Sequence, residues 1–261
     1  MPDAFPLGLQ AATTTPEHGD QTAQRYWVPI HIRACSTTTG AVLLDLKRSR
    51  YFGIGRDELN VLARFAPHWP ASYFAGTERL DANAADTNNR IANALFTAGL
   101  LTQNAPTEAG LPSREVDLSA TLTSVGHQIE KSAPLQLAHV VNFIHACAWA
   151  RRAQRARTLY SVATEISDYK SRAPQRFDTQ QAIELVCIFR RLRPFTFTAQ
   201  EQCLFHALAL IKFLSHYRIF PTWVIGVRPK PWAAHSWVQE GSLLLDSNPE
   251  HVCEYTPILT V

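Results

Sequence analysis

The C-terminal half of the fold is decided by one stretch, CLFHALALIKFLSHYRIFPTWVIGV from Cys203 to Val227, continued by PWAAHSWVQEGSLLLDS from Pro231 to Ser247. Up to Phe220 the apolar residues recur at helical spacing and predict one amphipathic helix. After Pro221 the runs are short, β-branched and aromatic, which predicts strands, and the turn at Glu240-Gly241 predicts a hairpin. The stretch therefore indicates a helix followed by an antiparallel sheet.

More helices precede this stretch, and they predict a helical layer against the sheet. Apolar residues with helical periodicity run through three segments, namely residues 135–155, 159–173 and 179–193. Together with the strands they predict one α+β domain over residues 134–261. Residues 104–133 shift to Thr, Pro, Gly, Ser and acidic residues with little pattern, which is typical of a linker.

The N-terminal part predicts a second, smaller domain over residues 25–103. Three β-prone runs separated by turns predict a small antiparallel sheet, at residues 28–35, 41–47 and 51–55. Two helices follow, one over residues 57–65 that Asp57 is placed to cap, and one over residues 86–101. Residues 1–24 are rich in Thr, Pro, Gly and Ala without periodicity, which predicts a flexible tail.

The composition is that of a globular protein, with 46% apolar, 18% charged and 10% aromatic residues in a chain of 261. It excludes a disordered chain and a collagen-like repeat. The sequence lacks both a long uninterrupted apolar run and a signal-peptide pattern at its start, so we expect a cytoplasmic protein without a membrane span. The five cysteines are widely spaced without a CxxC pair, so their individual chemistry matters more than a disulfide framework.

Charge is distributed unevenly along the chain. Residues 1–133 hold 11 Lys and Arg against 13 Asp and Glu, whereas residues 134–261 hold 14 against 9. The excess lies in two arginine clusters, at residues 151–157 and 190–193. Such clusters are most often a solvated helix face, but they can also attract an acidic partner.

Three residues have types and positions suited to nucleophilic catalysis: Cys203 at the start of a helix, His235 in one strand and Asp246 in the next. The unpaired N–H groups and partial positive charge at a helix N-terminus stabilise a thiolate. A general base must reach that sulfur, and a third group must orient the imidazole. A tight hairpin about Glu240-Gly241 places His235 opposite Asp246, with both side chains on one sheet face. The three side chains therefore predict a Cys-His-Asp triad.

Each of these residues also has a plainer interpretation. A lone Cys in an apolar helix is usually a small core residue, and a lone His in a strand is usually a satisfied polar group. Cys203 and His206 could instead ligate a metal, but no second Cys/His pair has zinc-site spacing and HExxH is absent. With neither GxxxxGK[ST] nor GxGxxG, the sequence predicts no bound cofactor. Trp237 lies two residues after His235 in the same strand and so shares its sheet face, where it could wall a substrate cleft or complete the core.

The deciding stretch has Cys-Leu, an Ala-Leu-Ala-Leu helix, Val-Ile-Gly-Val, Ala-His-x-Trp-Val and a following Asp in order, and it resembles the B proteins that mature lasso peptides. The resemblance covers about residues 135–257. It implies a transglutaminase-like, papain-like cysteine peptidase in which Cys203 is the nucleophile, His235 the base and Asp246 the orienting group. The chain departs from that pattern at Phe205-His206, where the family often has Pro-Arg, and its hairpin is about one residue shorter.

The N-terminal run HIRACSTTTGAVLLDLKRSRYFGIG, from His31 to Gly55, resembles the winged-helix elements that recognise leader peptides of ribosomally made precursors. Such elements bind the leader as an added strand, in which main-chain hydrogen bonds give affinity and side-chain pockets give register. These apolar residues could also fill a small core. The resemblance implies a binding edge and a groove beside it, formed by Tyr51, Phe52, Gly53 and Ile54 and by Asn88, Ile91 and Leu95.

The two resemblances imply a leader peptidase that binds a lasso precursor and cleaves at the leader–core junction before macrolactam formation. The expected partners are the precursor peptide and the macrolactam synthetase of the same pathway, with ATP dependence only through that synthetase and no nucleic acid. A transglutaminase-like acyltransferase, in which an amine rather than water resolves the thioester, is the nearest alternative. A non-catalytic leader chaperone, in which the triad is coincidental, is the alternative from another class.

Overall fold

The computed structural model describes residues 5–6, 26–37, 40–66, 85–105, 110–111, 116, 118, 122–125, 134–171, 177–195 and 203–261. The chain divides into two compact units, residues 1–110 and residues 111–261. The boundary falls inside the segment expected to be a linker, residues 104–133. Each unit has its own sheet and its own hydrophobic core.

The N-terminal unit is built on a sheet with the strand order β1-β4-β3-β2. Its strands are β1 (Phe5–Pro6), β2 (Ile32–Thr37), β3 (Gly40–Asp45) and β4 (Arg50–Ile54). β2, β3 and β4 pair antiparallel, as their short β-prone runs predict, and the middle strand β3 is buried along its whole length. β1 pairs parallel with β4, opposite Phe52 and Gly53. The other residues of the expected tail, 1–4 and 7–24, lie outside the described residues.

Two helices follow this sheet, α1 (Arg56–Ala63) and α2 (Ala85–Thr97). The expectation that Asp57 caps α1 is wrong, because the N-cap is Gly55 and it makes no side-chain cap hydrogen bond. Asp57 lies in the first turn, where a negative charge favours the helix N-terminus. Leu62 of α1 and Leu95 of α2 pack in one core with Leu43 of β3. The expected three-stranded antiparallel sheet with helices after it is confirmed.

The C-terminal unit is mainly helical in its first half. α3, α5 and α6 contact one another, and α5 begins where Asp178 accepts a hydrogen bond from the Gln181 N–H. No helix in the described ranges is long and apolar enough to cross a lipid bilayer. The helices of this unit within the described residues are α3 (Leu137–Ala156), α4 (Leu159–Ser171), α5 (Thr179–Leu192), α6 (Cys203–Ser215) and α7 (Pro249–Val252).

The sheet of the C-terminal unit has the strand order β5-β8-β7-β6-β9. Its strands are β5 (Thr123–Ser124), β6 (Thr222–Pro229), β7 (Trp232–Glu240), β8 (Leu243–Leu244) and β9 (Thr256–Thr260). The sheet is mixed rather than purely antiparallel, because β5 lies in the predicted linker and pairs parallel with β8. The other strand pairs are antiparallel. Helices against this sheet confirm the predicted α+β class.

Helix α6 is the element that positions the candidate site. Its residues from Phe205 to Ile211 are all buried, because α3, α5 and β7 contact it. The helix is therefore apolar on nearly all sides rather than amphipathic, which is typical of a core helix. Phe213 packs against Phe189 of α5 with the ring centroids 5.5 Å apart. This packing fixes the start of α6, and with it the position of Cys203.

Candidate active site

Cys203 is the first residue of α6, so the predicted position at a helix start is observed. Its side chain is half-buried, and its thiol is free of any disulfide. The first N–H groups of an α-helix have no partner within the helix, and they carry the positive end of its dipole. Cys203 therefore lies at the positive end of the α6 dipole.

His235 lies in the middle of β7, opposite Gly226 of β6. Its ring stacks on Trp237, with the centroids 5.8 Å apart and the planes inclined by 17°. The ring of His251 meets it edge-on at 4.7 Å, and Tyr255 lies at 5.4 Å. Burial lowers the pKa of His235 to about 4, and repulsion from His251 contributes to this shift. The imidazole is therefore uncharged at neutral pH, and it is a weaker base than an exposed histidine.

A missing side chain at Gly226 allows this arrangement of rings. A Cβ built at Gly226 would lie 2.7 Å from the Trp237 ring and 2.9 Å from Cβ of Tyr255. Real Cβ atoms do not approach other heavy atoms so closely, so only glycine fits at this point of β6. Trp237 is fully buried, and its indole N–H donates to Oε1 of Gln239 at 2.6 Å. Trp237 thus belongs to the hydrophobic core of this unit, and its role in walling a substrate cleft stays a prediction.

The β7–β8 hairpin turns one residue later than its sequence predicts. Glu240 pairs with Leu243, and Gly241 lies in the loop with a φ of +54°. The hairpin is thus centred between Gly241 and Ser242, where glycine takes the left-handed conformation without strain. Continuing this register from the pair of Gln239 and Leu244 places Asp246 across from Trp237. The expectation that His235 lies directly opposite Asp246 is therefore wrong.

The carboxylate of Asp246 is nonetheless buried against β7, the strand that carries His235. Its side chain is 2% exposed, and Oδ1 accepts a hydrogen bond from the Val238 N–H at 2.8 Å. Oδ2 lies 3.4 Å from Nδ1 of His206. The guanidinium of Arg190 interacts electrostatically with Asp246 and donates to the Leu245 carbonyl at 2.9 Å. These contacts compensate a charge that would be costly to bury alone.

Ser247 joins His235 to Asp246. Nε2 of His235 lies 3.3 Å from Oγ of Ser247, and that hydroxyl lies 3.4 Å from Oδ1 of Asp246. The hydroxyl can accept from one group while it donates to the other. The predicted histidine and aspartate are therefore linked through a bridging hydroxyl, and no direct hydrogen bond between them occurs among the described residues.

Cys203, the third residue of the predicted triad, is not part of this chain of contacts. Within the described ranges, no hydrogen bond joins the Cys203 thiol to the His235 imidazole. Catalytic hydrogen bonds are often long in a protein without its substrate and shorten only in the reactive complex. Residues 196–202, which lead into Cys203, lie outside the described residues.

Two contacts in the site were not predicted. From its sequence position, His206 was considered as a metal ligand beside Cys203. It lies buried on α6, one turn after Cys203, and against Asp246. Its spacing of three residues from Cys203 was the available signal, since such residues share a helix face. Ser247 directly follows Asp246 in sequence, and no pattern marked its hydroxyl. Among the described residues, no three His, Cys, Asp or Glu side chains are grouped so that they could hold a metal.

The residues expected to bind a leader peptide lie on β4 and α2 of the N-terminal unit. Gly53 is exposed and Tyr51 and Phe52 are half-buried, whereas Ile54 is buried. The three residues on α2 range from half-buried to buried, and they are Asn88, Ile91 and Leu95. Phe52, Ile54, Ile91 and Leu95 contribute to the unit's hydrophobic core.

The comparison with known families gives one match. Residues 142–260 match the family model of the transglutaminase-like superfamily. No curated protein matches the chain, and no solved structure matches it either. Members of this superfamily are typically cysteine peptidases or transglutaminases, so the match fits an activity of one of these two kinds. A free cysteine at a helix start and the contacts from His235 through Ser247 to Asp246 lie within the matched residues. We conclude that residues 142–260 form a transglutaminase-like domain.

Proposed function

We propose that this protein is a cysteine peptidase that removes the leader from a ribosomally made lasso precursor before the macrolactam forms. The observation that carries the proposal is the chain from His235 through Ser247 to Asp246, in a transglutaminase-like domain whose Cys203 begins a buried helix. The sequence resemblance to lasso B proteins supports the substrate class. The protein would work in the cytoplasm with its precursor and a macrolactam synthetase.

In the proposed reaction, His235 takes the proton of the Cys203 thiol, and the sulfur attacks the scissile carbonyl of the precursor. Backbone N–H groups at the start of α6 stabilise the oxyanion. His235 then gives its proton to the leaving amine, which frees the N-terminus of the core peptide. Water attacks the remaining thioester, its proton passes to the thiolate sulfur through His235, and the leader carboxylate leaves. Asp246 holds the imidazole in orientation through Ser247.

The N-terminal unit would hold the leader at the edge of β4. An added strand would gain main-chain hydrogen bonds there, in the way that peptides extend other sheets. The structure places a constraint on this proposal, because β1 already pairs with β4 at Phe52 and Gly53. A leader strand that uses these two residues must therefore displace Phe5 and Pro6. Holding the leader would also raise the local concentration of the scissile segment at a weak catalytic site.

An acyltransferase is the second candidate, because the matched superfamily also contains transglutaminases. The two reactions share the thioester on Cys203 and differ only in the acceptor that resolves it. Water gives a leader carboxylate, whereas an amine gives a leader amide. The products therefore distinguish the two candidates by mass.

The proposal is tested by mass spectrometry of a lasso precursor peptide after incubation with the full-length protein. We expect a single cut with a free leader carboxylate, even when an amine such as glycine amide is added. Cys203→Ala should abolish the cut, whereas Cys253→Ala, which removes an exposed thiol of the same domain, should not. A leader amide would favour the acyltransferase. Tight binding without a cut would favour the chaperone.

A further inference from the structure

Helix α3 carries an apolar surface that the domain does not use. Five large hydrophobic side chains are exposed among the described residues, and four of them lie on or just before this helix. Leu137 is 79% exposed, Val141 57% and Ile144 59%. Contiguous exposed apolar side chains usually mark a binding surface rather than a scattered surface feature.

The opposite face of α3 already holds the helix in the domain. Phe143, Ala146 and Ala150 are buried there, and Phe143 meets the Phe189 ring at 5.2 Å. α3 packs against α6 and α5 through this face. The exposed apolar residues are therefore not needed to hold α3 in place, and they make no contribution to the packing of the domain.

The exposed residues repeat at the spacing of a helix–helix interface. They follow one another at alternating steps of four and three residues, which is the repeat by which two α-helices pack side by side. We call this row the α3 seam, and it consists of Leu137, Val141, Ile144, Ala148, Arg151 and Arg155. The seam spans about 27 Å at the rise of an α-helix.

The seam changes from apolar to basic along its length. Arg151 and Arg155 form its last part, and Arg152 lies exposed beside them. Within the described residues none of the three forms an ion pair with Asp or Glu, and the Arg151 guanidinium lies over the Phe205 ring at 5.6 Å. These charges are therefore available to an acidic partner.

We propose that the α3 seam binds an α-helix of a different protein, with apolar residues at the same spacing and acidic residues in its first turn. An antiparallel arrangement brings that first turn to the arginines. Acidic residues are also favoured at this position of a helix by its own dipole. The partner is thus defined by an apolar stripe with a negatively charged start, and the proposal does not rest on the proposed cleavage.

A second copy of this chain fits the seam poorly. A parallel pair would place Arg151 and Arg155 against their own copies, where like charges repel. A full antiparallel pair would place Arg155 against Leu137 and Arg151 against Val141, which buries charge against apolar side chains. Charge complementarity therefore favours a partner with acidic residues over self-association.

The test measures binding of two synthetic helical peptides to the full-length protein by fluorescence anisotropy. Both peptides carry Leu at alternating steps of three and four, and their first turns contain three Glu in one and three Lys in the other. We expect the Glu peptide to bind at least tenfold more tightly than the Lys peptide, with an affinity that falls as salt screens the charges. The double variant Arg152→Glu, Arg155→Glu should reverse this preference.

The apolar part of the seam is tested by the double variant Val141→Lys, Ile144→Lys, which should weaken binding of the Glu peptide at least tenfold. Ala138→Lys is the matched control, because it introduces a lysine at an exposed residue of α3 that lies outside the seam and about 20 Å along the helix from Arg151. It should leave binding unchanged. Thermal unfolding shows that each variant is folded. Three results would overturn the proposal: no binding, equal binding of both peptides, or a dimer of this chain in sedimentation that the apolar double variant dissociates.

Discussion

Oδ2 of Asp246 lies 3.4 Å from Nδ1 of His206, whereas His235 reaches the same carboxylate only through Ser247. One buried carboxylate is thus linked to two histidines, directly to His206 on α6 and through the Ser247 hydroxyl to His235 on β7. His206 is on the helix that carries Cys203, so the contact ties the proposed nucleophile's helix to the strand region that holds the proposed base. We therefore expect His206 to act as a positioning residue, through Asp246 and not on the substrate.

His206→Leu should lower the free energy of unfolding by about 1–3 kcal/mol, because the buried carboxylate of Asp246 loses the imidazole that lies 3.4 Å from it. His206→Asn should keep most of the stability, since its amide can donate from nearly the position of Nδ1. Urea unfolding of both variants measures the difference. Equal stability of the Leu and Asn variants would show that the contact with Asp246 contributes nothing.

Ser247→Ala should lower kcat/KM for the precursor about tenfold, the loss expected for one hydrogen bond of roughly 1.4 kcal/mol. The loss should appear in kcat rather than KM, because Ser247 orients His235 and does not bind substrate in the proposal. Ser242→Ala, at the exposed hairpin loop, is the control and should have wild-type kinetics. A wild-type rate for Ser247→Ala would remove the bridging hydroxyl from the mechanism.

Stability should depend on pH through His235. Burial, with repulsion from His251, lowers its pKa from 6.5 to about 4 in the folded protein. The unfolded chain therefore binds this proton near pH 6.5, whereas the folded chain binds it only near pH 4. The free energy of unfolding is thus highest above pH 6.5 and falls as the pH drops toward 4. The contribution of His235 to the free energy of unfolding that is lost by pH 4 amounts to roughly 3 kcal/mol.

The comparison that isolates this effect is the unfolding free energy of wild type and His235→Gln between pH 4 and pH 7. Burial also lowers the pKa values of His31 and His216, but both proteins share those contributions. The wild type should lose more stability than the variant as the pH falls. Parallel pH profiles would contradict a buried, neutral His235.

Gly226→Ala should destabilise the protein by about 1–3 kcal/mol, the usual range for overpacking a core. The added methyl would meet the Trp237 ring at 2.7 Å and Cβ of Tyr255 at 2.9 Å. Gly53→Ala is the control, because nothing lies within 4 Å of a Cβ at that strand position. Thermal unfolding compares the two, and an unchanged midpoint for Gly226→Ala would show that the rings move apart freely.

Removal of residues 1–24 should strengthen leader binding several-fold, because Phe5 and Pro6 pair with the part of β4 that a leader strand would use. A shorter truncation of residues 1–4 keeps this pairing and should bind like the full chain. Anisotropy of a labelled leader peptide measures both. Unchanged affinity after the longer truncation would mean that the leader does not compete with β1.

Much of the fold was predictable because its signals are local. Periodicity in residues 135–155 predicts α3 within two residues, and the β-prone runs predict the strands of both sheets. The exceptions are the short strands β1 and β5, which were not predictable because each pairs parallel with a strand distant in sequence and no β-prone run marks it. The hairpin register depended on the conformation of Gly241, so a shift of one residue in the turn centre moved the partner of Asp246 by two.

The site was predictable in its residue types and not in its contacts. Cys203 at a helix start and His235 on a strand follow from secondary structure. The contact of His206 with Asp246 and the Ser247 bridge arise from tertiary packing, in which α6 lies against β7. A sequence pattern records which side chains are available, whereas the partner of a buried carboxylate is decided by which donors the packing brings near.

The central claim is that His235 activates Cys203, and it is tested most directly by the rate at which each thiol is alkylated. Iodoacetamide labelling of the full-length protein at neutral pH, followed by peptide mass spectrometry, compares Cys203 with the exposed Cys253 in the same sample. We predict that half-buried Cys203 reacts faster than Cys253 and that His235→Gln removes this advantage, because in the proposed mechanism His235 takes the thiol proton as the sulfur attacks. Cys203 reacting no faster than Cys253, or equally fast in His235→Gln, would contradict the claim.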